Sequence, residues 1–162
     1  MPKNNDKAVR KHLLWLLRGG HAHVHFDRAV AGLPVRLQGK RPGGLLYSPW
    51  QLLEHVRLSL WDMLEFTRDR AHMSPKWPDS YWPKNPAAPN ASAWAKSVAA
   101  IRRDMRAMER MVANPRTDLY ARIPWGTGQT VMLEALQIAD HNAYHLGQLL
   151  VVRRLLGAWK DS

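Results

Sequence analysis

The chain contains no cysteine. That excludes disulfides, thiolate metal sites and cysteine nucleophiles, so any metal must be held by histidine and carboxylate. No apolar run approaches the roughly 20 residues that a membrane span needs. The stretch Met1 to Arg10 is polar and charged, without a hydrophobic signal core. A soluble, cytoplasmic protein is the expectation. Common catalytic signatures are missing as well: there is no G-x-S-x-G, P-loop, G-x-G-x-x-G or H-E-x-x-H. Gly126-Thr127-Gly128 is too short to cradle a phosphate. Acidic residues are scarce, 13 Asp and Glu against 24 Lys and Arg, which leaves a formal net charge of +11. Such an excess invites a nucleic-acid partner. The basic residues are scattered, however, with the densest groups at Lys7-Arg10-Lys11, Arg102-Arg103-Arg106 and Arg153-Arg154. Solubility and attraction for small anions explain this charge better, and nucleic-acid binding is the weaker reading.

What is present suits one domain over residues 1–162, long enough to bury a real core. Four helical stretches alternate with Pro- and Gly-rich connections. The first runs from about Asp6 to Gly32, interrupted by Gly19-Gly20, and one continuous helix is the expectation. Pro34 to Tyr47 is a loop. Ser48, Pro49 and Gln51 form the start of a second helix, as N-cap, first helical residue and capping-box partner, and it runs to about Arg70. Five prolines keep Met73 to Asn90 from being helical. Trp77, Tyr81 and Trp82 lie among them, so this rigid aromatic loop is expected to cover a pocket or a subunit contact. Ser92 caps a third helix to about Ala113, with Trp94, Val98, Ile101, Met105, Met108 and Val112 as its core stripe. Asp118 to Gly128 is a second connection, with Tyr120, Ile123 and Trp125 as a candidate extended piece. The fourth helix runs from near Thr130 to about Gly157, a suitable C-terminal cap. No series of strands is legible. An all-α four-helix bundle follows.

The most specific pattern is His141 and His145. Four apart on a helix, both imidazoles point to one side and can reach one cation. Glu134 and Gln148 share that face and could orient a ligand or a water. His55 lies on the second helix, where Ser59 and Asp62 continue its polar stripe. Three neutral imidazoles from two helices would hold a divalent transition metal with coordination positions open. The competing explanation is that these histidines only hydrogen-bond within the core. Asp62 has three readings: an acceptor behind a ligand, a general base, or a buried ion-pair partner. His21 and His25 repeat the four-residue spacing and are expected along the open face of the first helix. His12 and His72 are expected on the surface.

Three blocks together carry a resemblance. They are Ser48-Pro49-Trp50-Gln51-Leu52-Leu53-Glu54-His55-Val56-Arg57 with Trp61-Asp62 and Phe66, then Trp77-Pro78-Asp79-Ser80-Tyr81-Trp82-Pro83, then Asp140-His141-Asn142-Ala143-Tyr144-His145-Leu146-Gly147-Gln148. In order and spacing they resemble the DinB/YfiT-like superfamily of bacterial four-helix proteins, over roughly Leu13 to Gly157. The resemblance implies an up-down-down-up bundle, a homodimer, and nickel or zinc on His55, His141 and His145. It also marks His23 as a pocket-lining candidate, to set beside Ser59, Trp82 and Gln148. It does not fix the reaction. Some relatives transfer or isomerise with low-molecular-weight thiols, for which a metal would hold a thiolate. The leading expectation is a metal-dependent transferase or hydrolase acting on a small, anionic or thiol substrate, with Asp62 or Glu134 accepting a proton. The alternative is a non-catalytic stress-response or interaction module with a structural metal.

Overall fold

The computed structural model describes residues 3–160. Among these residues there is no strand, and six α-helices form: α1 (Lys3–Arg18), α2 (Phe26–Val30), α3 (Val35–Gln38), α4 (Pro49–Arg68), α5 (Ala93–Ala113) and α6 (Val131–Leu155). The four long helices pack together. Both α1 and α4 lie against α5 and α6. Leu53, Leu60 and Leu64 of α4, Ile101, Met108 and Val112 of α5, and Ile138 of α6 form the buried centre.

The first helix is not continuous. Gly19 and Gly20 take φ values of +63° and +76°, a left-handed conformation that ends a helix and that glycine adopts without a Cβ penalty. The chain restarts at α2, where the His25 ring accepts a hydrogen bond from the amide of Asp27. His21 and His25 therefore do not share a helix face. His21 instead stacks on Trp15, with ring centroids 4.1 Å apart. The connection after Gly32 also differs from a plain loop, because it winds into the single turn of α3.

The second long helix begins as its sequence dictates. The Ser48 hydroxyl accepts from the Gln51 amide, the Gln51 side chain accepts from the Ser48 amide, and Pro49 occupies the first position. The same two side chains also hold the proline-rich connection: Ser48 Oγ donates to the Pro86 carbonyl, and Gln51 Nε2 donates to that of Pro83. That connection carries only one 3₁₀ turn, at Asp79–Tyr81. At α5, Ser92 occupies the cap position but makes no side-chain cap. Its amide and hydroxyl both donate to Asn90. The candidate extended piece near Tyr120 amounts to one isolated bridge, Arg122 with Thr130. At the end of α6, Gly157 has φ +65°, with its amide on the Arg154 carbonyl and the Ala158 amide on that of Arg153. This paired closure places the glycine just beyond the last helical turn.

Candidate metal centre

α4 delivers His55, and α6 delivers His141 and His145 one turn apart. The Nε2 atoms of His55 and His141 lie 3.1 Å from each other. One ligand-capable nitrogen from each of the three rings falls within 4.8 Å of the others. No other such group of three is found among the described residues. His55 and His145 are buried, at 2% and 7% exposure.

The hydrogen bonds behind the rings set which nitrogen faces the centre. His55 Nδ1 lies 3.0 Å from the Tyr81 carbonyl, which can only accept. That ring must therefore carry its proton on Nδ1, which leaves the Nε2 lone pair bare. His145 Nδ1 lies 2.7 Å from Gln148 Oε1, an acceptor too, so its Nε2 is also bare. His141 Nδ1 is buried without a partner. The bare Nε2 of His55 is close enough for the His141 Nε2–H to donate to it, and an ion in place of that proton would take a lone pair from each of the three rings. Nitrogens on one tetrahedral ion at about 2.05 Å would sit roughly 3.3 Å apart, close to the His55–His141 separation. The donor set thus fits a divalent transition metal.

Protonation does not compete for these nitrogens near neutrality. Burial, then the Tyr81 bond pulling the other way, then the adjacent His145 and His141, bring His55 down to about 4. Burial and the neighbouring His145 bring His141 down to about 4 as well, against opposing pulls from Asn142 and Asp140. His145 is lowered by burial, opposed by Gln148. Neutral imidazole is the form that binds metal.

The aromatic loop packs on this centre. Trp82 stacks flat on His55 at 3.7 Å between centroids, and Tyr47 stacks on the outer face of Trp82 at 3.8 Å. Tyr81 is buried, whereas Trp77 is 65% exposed and meets the Tyr81 ring edge-on. Ser59, one turn from His55, is buried with its hydroxyl unpartnered. Asp62 is not among the converging groups, and both its oxygens are engaged. One carboxylate oxygen meets His72 Nε2 at 2.7 Å, and the other accepts from the Tyr81 hydroxyl at 2.6 Å. Burial and that bond push the Tyr81 phenol up, so it stays a donor. His72 is not the surface residue expected, because its side chain is only 7% exposed against Asp62. Glu134 is buried, and burial followed by the charge of Asp62 raises it to about 7. It can therefore either give or take a proton near neutrality.

A cavity of about 200 Å³ adjoins the centre on the side of α1 and α5, and both His145 and His23 line it. His23 comes from the segment after Gly19-Gly20, where its ring pairs with the Val24 carbonyl at 3.0 Å. Several of these contributors were not legible in the sequence. The Tyr81 carbonyl is main chain and has no sequence signal. Tyr47 and His72 reach the site through loops, so helical spacing cannot find them.

If Gln148 orients His145 as described, Gln148→Leu should weaken metal binding by about 10- to 100-fold, the usual cost of losing an acceptor behind a histidine ligand. Competitive titration against a chromogenic chelator measures it. An unchanged affinity would remove Gln148 from the site.

Comparison with known proteins agrees with the geometry. No curated protein and no solved structure matches the chain. The family model described as the DinB superfamily matches residues 21–149, a span that holds all three histidines and the aromatic loop. Covering most of the sequence, that match makes this chain a member of the DinB superfamily.

Proposed function

We propose that this chain is a metal-dependent enzyme in which His55, His141 and His145 hold zinc or nickel, and that its substrate supplies a thiol or a water as nucleophile. The convergence of three neutral imidazoles, each with a nitrogen within 4.8 Å of the others and with the Nε2 lone pairs of His55 and His145 left bare, carries this reading. A bound ion would supply Lewis acidity, lowering the pKa of a thiol or water brought to it. The chain's own groups do the rest. Glu134 is the better proton acceptor, because both oxygens of Asp62 are already engaged by His72 and Tyr81. Asp62 holds Tyr81, and through it the carbonyl that fixes the His55 ring. Trp82 and Tyr47 keep water from the open face of His55.

The long helices run up-down-down-up in this reading, and the working unit is a homodimer. Leu133, Leu136, Tyr144, Val151 and Leu155 leave a solvent-facing apolar strip along α6, and a groove lined by Leu46, Gly147 and Val151 continues it. Light scattering should give twice the chain mass, and Tyr144→Arg should return a monomer. A wild-type monomer would exclude the dimer.

The test of function is turnover. Metal-loaded protein is mixed with bacillithiol, mycothiol, coenzyme A or glutathione and an alkylating electrophile, and free thiol is followed. Consumption should accelerate with at least one thiol and stop on chelation. Full metal loading without acceleration by any of the four would assign the centre a non-catalytic role.

A further inference from the structure

The cavity beside the three histidines has a character of its own. Its floor is apolar and buried, formed by Leu17, Leu53, Val56, Ile101 and Leu146. Its solvent-facing rim carries three cations, Arg18 from α1 and Arg102 and Arg106 from α5, together with the two acids Asp27 and Glu109. Two of these charges are answered locally. Arg18 Nε lies 3.3 Å from Glu109, and Arg102 Nε lies 2.7 Å from Asp27. Arg106 pairs with no carboxylate among the described residues.

We infer that this cavity binds an amphipathic organic monoanion. Its apolar body fills the space between α1, α4, α5 and α6, its carboxylate sits on Arg106, and its far end lies toward His145. A fully apolar occupant would leave the free guanidinium unused. A polyanion would have to break two existing ion pairs. A single carboxylate takes the one uncommitted cation as a charge-assisted bond. A floor of leucine, valine and isoleucine gains from losing its water to an alkyl or aryl chain. The contact with His145 makes this cavity the approach to the metal centre, so the inference names the substrate class and rests on that reading only for the role of the far end.

The experiment uses octanoate and its neutral counterpart 1-octanol as probes. Binding is measured by calorimetry with metal-free and with zinc-loaded protein. Octanoate should bind both forms. Arg106→Ala should weaken octanoate by at least about tenfold in both, leave octanol unchanged, and leave zinc uptake unchanged. Arg106→Lys should recover most of the loss. Because Arg106 is exposed, its replacement leaves the core intact. Absence of octanoate binding, or equal losses for acid and alcohol, would overturn the inference. Binding that requires zinc and ignores Arg106 would overturn it as well, since the carboxylate would then sit on the metal. Zinc uptake is scored separately, so failure of the metal reading shows as no uptake whatever octanoate does.

Discussion

Replacing His141 and His145 together by alanine should abolish metal retention. Wild-type protein should hold about one equivalent of zinc or nickel per chain after gel filtration, and the double variant essentially none. Stability should report the same difference. Metal at about a thousandfold above its dissociation constant stabilises the folded chain by about 4 kcal/mol if the unfolded chain does not bind it. The wild-type melting transition should rise accordingly on adding zinc, and the variant's should not move. The variant should still fold. Leu53, Leu60, Ile101 and Ile138 form the packed centre and are untouched, so far-UV circular dichroism should keep its helical signal. Retention of a full equivalent by the double variant would place the metal elsewhere and remove the chemical basis of the proposed activity.

Acid should destabilise the metal-free protein over a defined window. His55 and His141 each sit at about 4 in the folded state, against an ordinary value of 6.5. Between those values the unfolded chain binds more protons than the folded one, so stability falls as pH falls. The contribution is intact above about pH 6.5 and is lost on descending to about pH 4. Each histidine alone is worth on the order of 3 kcal/mol by this linkage. Glu134 acts in the opposite sense. Its folded value of about 7 lies above the ordinary 4.5, so the folded state holds the extra proton and stability is lost as pH rises between the two. Glu134→Gln removes that opposing slope. The variant should be more stable than wild type at pH 8, by on the order of 3 kcal/mol, and should lose stability more steeply on acidification. Urea titrations with chelator present, at half-unit pH steps from 4 to 8, measure both slopes. A flat profile for wild type would mean that the imidazoles are not held neutral by burial.

Local chemistry wrote much of this molecule into its sequence. The Ser48–Gln51 capping box, the proline density of residues 73–90, the Met-containing stripe of α5 and the glycine beyond α6 each act within a few residues, and each appears where the sequence places it. The spacing of His141 and His145 works the same way, since helical geometry alone puts both rings on one side. Gly19-Gly20 shows the limit of such reasoning. Apolar residues on both sides suggested one helix, yet left-handed backbone at both glycines ended it and freed His23 to line a cavity.

The rest depended on which segments meet. That His55 stands 3.1 Å from His141, 86 positions away, follows from α4 packing on α6. The proton position on His55 is set by a carbonyl from a loop, and the Asp62 carboxylate goes to His72 and Tyr81 across that same loop. Residue types and spacing determined the three later long helices and the candidate ligands, because those follow from nearest-neighbour geometry. Tertiary packing decided which nitrogens face inward, which carboxylate stays free and which arginine lacks a partner, because burial and long-range contacts have no period along the chain.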